Sequence, residues 1–107
     1  YPVSGTTTTL DALAMGIPVL TCPNHLYAGA ISAAILENAG LGEWVCERPE
    51  QLPQRAQELC QRYRSAKARR KLAEQVRRSA VCDTTATANS FAVQIGEMLQ
   101  AASLTQL

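Results

Sequence analysis

Apolar residues recur along the chain at two spacings, and these predict an alternation of helices and short strands. A first helix starts in the run Thr6 to Thr9, continues through Leu10, Ala12, Leu13 and Met15, and stops at Gly16. A threonine hydroxyl can accept a bond from an otherwise orphaned helix amide, and glycine takes the positive φ that ends a helix without a Cβ penalty. Ile17-Pro18-Val19-Leu20-Thr21-Cys22 is a continuous apolar run between Gly16 and Pro23, the pattern of a buried parallel strand. From Leu26 to Asn38 the residues are small and apolar nearly all round, which predicts a helix covered on most sides and capped by Gly40. Glu43-Trp44-Val45-Cys46 predicts a second short strand, with Trp44 packed against the sheet. Leu52, Ala56, Leu59, Cys60 and Tyr63 mark an amphipathic helix, with Pro49 and Pro53 flanking its start. Leu72, Ala73, Val76 and Ala80 mark the next helix. Beyond Val81-Cys82-Asp83, a last helix carries Phe91, Ile95, Met98, Leu99 and Ala102 on one stripe.

The resulting order is helix, strand, helix, strand, then helices. It predicts the α/β class, a short parallel sheet flanked by helices. Two strands make a poor sheet alone, so the pattern also predicts further strands before Tyr1 or cover from a partner. At 107 residues the chain fits one small domain, taken as 1–107, and an opening of Tyr-Pro-Val predicts a piece of something longer.

Composition narrows the function classes. The net charge is +1, with both signs interspersed, which argues against a nucleic-acid or membrane-surface binder. The basic series from Arg55 to Arg78 is broken by Glu58 and Glu74 and reads as a solvated face. No apolar run approaches the roughly 20 residues that span a bilayer. The four cysteines, Cys22, Cys46, Cys60 and Cys82, show no C-x-x-C spacing, and a single histidine is too few to complete a common zinc set. Reduced thiols and a cytoplasmic location are the expectation, with no metal.

Candidate chemistry is concentrated in Ser4-Gly5-Thr6-Thr7-Thr8-Thr9-Leu10-Asp11-Ala12-Leu13-Ala14-Met15-Gly16-Ile17-Pro18-Val19. A helix N-terminus presents unpaired amides and about half a positive charge, so it suits an anion. Gly5 would let a phosphate approach the backbone, and Thr6, Thr7 and Thr8 would add hydroxyl donors. Asp11 could accept the vicinal hydroxyls of a ribose. Each feature alone has a structural reading as a cap or a dipole partner. Their coincidence with a glycine-x-proline turn points to a ligand. His25, at the end of the first strand that faces this segment, is either a donor-side contact or an exposed loop residue.

On these residues the chain resembles the C-terminal part of glycosyltransferase family 41, the family of O-linked N-acetylglucosamine transferase and SPINDLY. The string SGTTTTLDALAMGIPVLT carries the resemblance, which extends through the small-residue helix, Ala39-Gly40-Leu41-Gly42 and Ser79-Ala80-Val81-Cys82-Asp83. It implies the Rossmann-like second lobe of a GT-B enzyme, binding a UDP- or GDP-sugar. It also implies metal-independent, inverting transfer to a protein Ser or Thr hydroxyl. By position, Thr7 and Thr8 match the diphosphate contacts and Asp11 the ribose ligand. Thr6 stands where animal members have histidine and plant members threonine. Ala30 replaces an arginine or asparagine common in relatives, which removes a donor contact from that helix. The catalytic base and an N-terminal lobe, with helical repeats, would lie upstream, leaving this fragment inactive alone. The last helix, which in GT-B enzymes crosses to the first lobe, would be left uncovered, favouring self-association. Competing readings are another GT-B enzyme, MurG-like or UDP-sugar epimerase-like, and a degenerate, non-catalytic nucleotide-binding module.

Overall fold

The computed structural model describes residues 4–105, so the ends of the expected 1–107 unit, 1–3 and 106–107, lie outside the described residues. Five helices follow in order: α1 (Thr7–Ala14), α2 (Tyr27–Asn38), α3 (Leu52–Arg62), α4 (Ala66–Arg77) and α5 (Thr84–Thr105). Short 3-10 turns at Gly42–Trp44, Pro49–Gln51 and Ala80–Cys82 join them.

The two glycine stops form as expected. Gly16 and Gly40 have φ of 73° and 76°. At the first, Gly16 N–H donates to the Leu13 carbonyl (3.0 Å) and Ile17 N–H to the Ala12 carbonyl (2.9 Å). At the second, Gly40 N–H donates to Glu37 (3.1 Å) and Leu41 N–H to Leu36 (2.8 Å). This is the paired closure that satisfies the last carbonyls of a helix. Gly16 has a second constraint, because a Cβ there would run into the Arg69 carbonyl of α4.

The expected α/β class is overturned. Among the described residues there is no strand and no sheet, only one parallel bridge between Thr21 and Val45. The Rossmann-like lobe expected with that class goes with it; the fold is helical. The reason is local competition for backbone groups. In the first expected strand, Ile17 spends its amide on the end of α1, and Pro18 has none. In the second, residues 42–44 coil into a 3-10 turn, with Trp44 N–H on Leu41 (3.0 Å) and Val45 N–H on Gly42 (3.1 Å). What remains for a ladder is Thr21 N–H to Trp44 O (3.3 Å) and Cys46 N–H to Thr21 O (2.8 Å).

The core accordingly comes from helices. Leu13 of α1, Leu36 of α2, Leu59 of α3 and Leu72 and Val76 of α4 converge with Ala39, Leu41 and Trp44. Trp44, expected against a sheet, packs instead edge-on to Tyr63, with ring centroids 5.6 Å apart at 82°. The basic residues of α3 and α4 are exposed. Arg62 of α3 pairs with Glu43 at 3.3 Å, and Arg78, just past α4, with Glu74 at 2.9 Å, surface geometry worth little in water. The α5 stripe exists but is bare: Phe91 is 68 % exposed and Leu99 65 %. Among the described residues no helix is long and apolar enough to cross a membrane.

Candidate functional site

The N-terminus of α1 is held against α2 by the hydroxyls of Ser4, Thr9 and Ser32, of which the sequence pattern did not single out Ser32. Ser4 N–H and Ser4 Oγ both donate to the Ala28 carbonyl, at 3.0 and 2.9 Å, and Ser4 Oγ accepts from Ser32 N–H at 3.2 Å. Deeper in, Ser32 Oγ, Thr9 Oγ1 and the Gly5 carbonyl form a triangle. Ser32 donates to Gly5, Thr9 contacts Gly5 at 3.2 Å, and the two hydroxyls lie 2.9 Å apart. Two hydroxyl protons can fill only two of those three edges at once, so the triangle holds alternative proton arrangements around one fixed turn. Thr9 and Ser32 are both buried. Ser32 had one visible signal, a hydroxyl inside an otherwise small and apolar helix.

This pinning shapes the turn. Thr6 occupies the N-cap position with φ −119° and ψ −75°, and no side chain caps the helix. The expected threonine cap is therefore absent, because Thr6 is not in the extended conformation that aims a cap hydroxyl at the helix amides. Thr6, Thr7 and Thr8 are exposed, and no side-chain cap hydrogen bond forms at the N-cap. Gly5 is less open than a bare backbone: a Cβ there would stand 2.5 Å from Thr8 Oγ1 and 3.2 Å from Thr9 Oγ1. An anion approaching Gly5 meets the exposed Thr8 hydroxyl first.

Beside the turn lies a cleft of about 240 Å³ lined by Ser4, Gly5, Thr8, Thr9, Ser32, the segment Val19–Cys22 and Leu52. None of the lining side chains is a carboxylate or carries a basic nitrogen. Any attraction for an anion there comes from the helix end and the hydroxyls. The volume is below the roughly 300–1,000 Å³ typical of small-molecule sites, so it suits one end of a ligand rather than a whole sugar nucleotide.

The structure brings Gly5 and Thr8 to the cleft. It sets Thr6, Thr7 and Asp11 outside the lining, on the exposed surface of α1. Thr7, Thr8 and Asp11 stand at helical spacings of three and four, which places them on one face, and Thr8 joins that face to the cleft. Among the described residues Asp11 enters no ion pair. His25 is exposed at the bend before α2, where the Asn24 side chain accepts from Leu26 N–H at 2.9 Å; it does not line the cleft. Ala30 sits on α2 beside Tyr27, Ile31 and Ala34 on a separate apolar surface.

Fold and site together define a small helical unit with an uncapped, hydroxyl-rich helix end beside a neutral cleft. No family model matches the chain. Curated proteins do. Over 84 residues, 78 % of this chain, it is 32 % identical to the Hordeum vulgare protein named "Probable UDP-N-acetylglucosamine--peptide N-acetylglucosaminyltransferase SPINDLY". The proteins of the same name from Arabidopsis thaliana and Solanum lycopersicum are 31 % and 30 % identical over the same length. The chain is thus distantly related to the SPINDLY proteins across this stretch, and it spans 9 % of the length of each of these relatives.

Proposed function

We propose that this chain is the sugar-nucleotide-binding portion of a protein-modifying glycosyltransferase. The observation that carries the reading is the uncapped end of α1, where exposed Thr6, Thr7 and Thr8 open beside the cleft. A nucleoside diphosphate there would set its phosphates against the first-turn amides and threonine hydroxyls. Asp11, one turn on and on the same face as Thr7 and Thr8, would accept from the ribose hydroxyls. The cleft would hold one end of the donor, while the rest lies over the exposed face of α1.

The chemistry asked of these groups is electrostatic. A departing nucleoside diphosphate gathers negative charge as the bond to the sugar breaks. Donors already aimed at that position stabilise it more in the transition state than in the ground state. The relatives' names, which give a UDP-N-acetylglucosamine donor and a peptide acceptor, support a UDP-sugar and a protein as the two substrates, and we take a Ser or Thr hydroxyl as the acceptor group. Inversion at the anomeric carbon and a catalytic base contributed by the remainder of a longer protein belong to the same proposal.

An NMR titration of the chain with UDP tests the reading. Shifts centred on Thr6 to Asp11 are expected. Asp11→Ala should weaken UDP binding by about 1–3 kcal/mol, the loss typical of a hydrogen bond to a charged group. Shifts confined to other elements, or equal affinity of the variant, would remove the turn or Asp11 from the site respectively.

A further inference from the structure

We propose that Cys22 and Cys46 form a paired dithiol, a modification site that closes to a disulfide when a peroxide reaches the cleft. The single bridge sets the register. Thr21 pairs with Val45, so continuing the parallel register by one residue brings Cys22 opposite Cys46 on the adjoining segments. Bridged backbones run about 4.8 Å apart. That spacing lies inside the Cα range of about 4.4–6.8 Å spanned by disulfides. Both residues are buried, Cys22 at 6 % exposure and Cys46 at 3 %, and both are free thiols.

The electrostatics of Cys46 agree with that placement. Burial pushes the Cys46 thiol up, the Arg55 guanidinium opposes that, and Cys22 adds to the upward push. The thiols also differ in access. Cys22 lines the cleft and Cys46 does not. Cys60 and Cys82 are exposed, on α3 and on the turn Ala80–Cys82.

The sequence of events follows from that asymmetry. The Cys22 thiolate attacks one peroxide oxygen, the O–O bond breaks, and the departing hydroxide takes a proton to become water. Cys22 is left as a sulfenic acid. The Cys46 sulfur, giving up its proton, attacks the Cys22 sulfur; the S–O bond breaks and the second water leaves. Two thiols lose two electrons and two protons to one peroxide. The resulting bond ties the Val19–Cys22 wall of the cleft to the segment after Trp44. The dithiol stands on the bridge alone, and only its protection by UDP rests on the proposed function.

Hydrogen peroxide treatment of the full chain carrying Cys60→Ser and Cys82→Ser tests it, with peptide mapping after alkylation of the remaining thiols. A linked Cys22–Cys46 peptide two hydrogens lighter than its parts is expected. Cys46→Ser should leave Cys22 as a sulfenic acid trapped by dimedone, whereas Cys22→Ser should leave Cys46 a free thiol. Retention of both thiols under conditions that oxidise Cys60 and Cys82 in the unsubstituted chain would overturn the proposal, as would links only between different molecules. UDP at ten times its Kd should slow closure about tenfold, because only the free fraction reacts. Closure unchanged by UDP upholds the dithiol while removing the nucleotide from the cleft.

Discussion

Helices α1 and α4 pack on one another, and each opens behind a hydroxyl residue, yet the two hydroxyls behave differently. Ser65 has the extended conformation of a cap (φ −84°, ψ 149°), and its Oγ accepts from Ala68 N–H at 3.1 Å. Thr6 stands at the same position of α1 with ψ −75° and caps nothing. Asp83 before α5 behaves like Ser65, its Oδ1 accepting from Ala86 N–H at 2.9 Å. The difference lies in what holds the preceding residues. Ser4 and Gly5 are drawn onto α2 by Ser32 and Ala28, and this fixes the chain direction into α1. A capped end has spent its amides on stability. The end of α1 has no side chain spent on them, which is the feature the proposed function uses.

The largest test of that contrast removes its foundation. Leu13 is fully buried where α1 meets the core, so Leu13→Ala should cost about 2–5 kcal/mol in denaturant unfolding. A cost near that of a surface change would mean that α1 is not anchored as described. Next is Ser32→Ala, which strips a partner from the buried Thr9 hydroxyl and the Gly5 carbonyl. We expect a loss of about 1–3 kcal/mol, together with faster amide exchange at Ser4 to Thr8. Unaltered exchange there would show that the turn is held by other means. Ser65→Ala should cost about 1 kcal/mol, the usual value of an N-cap. Thr6→Ala should change stability by less than about 0.5 kcal/mol, as for an ordinary surface position. Equal losses for those two variants would erase the distinction between the helix ends.

Much of the helical layout was legible in the sequence, because it rests on local rules. The spacings of Leu52, Leu59 and Tyr63, and of Leu72 and Val76, encode amphipathic faces. Gly16 and Gly40 each stop a helix with a conformation other residues rarely take. The Thr6–Asp11 segment stood out for the same reason, being contiguous. Ser32 and Cys46 did not, since their roles depend on residues more than twenty positions away. The sheet was misread because an apolar run such as Ile17–Cys22 looks alike whether a neighbour pairs with it or a helix covers it.

What the sequence by itself determined, then, is where helices begin and end and which faces are apolar, since those follow from residues a few positions apart. Only the tertiary structure decided that the two apolar runs meet at one bridge and that the hydroxyl at Thr6 is left free. Both outcomes turn on hydrogen-bond partners that only chain closure brings together, because buried backbone groups must be paired and the local sequence does not say with what.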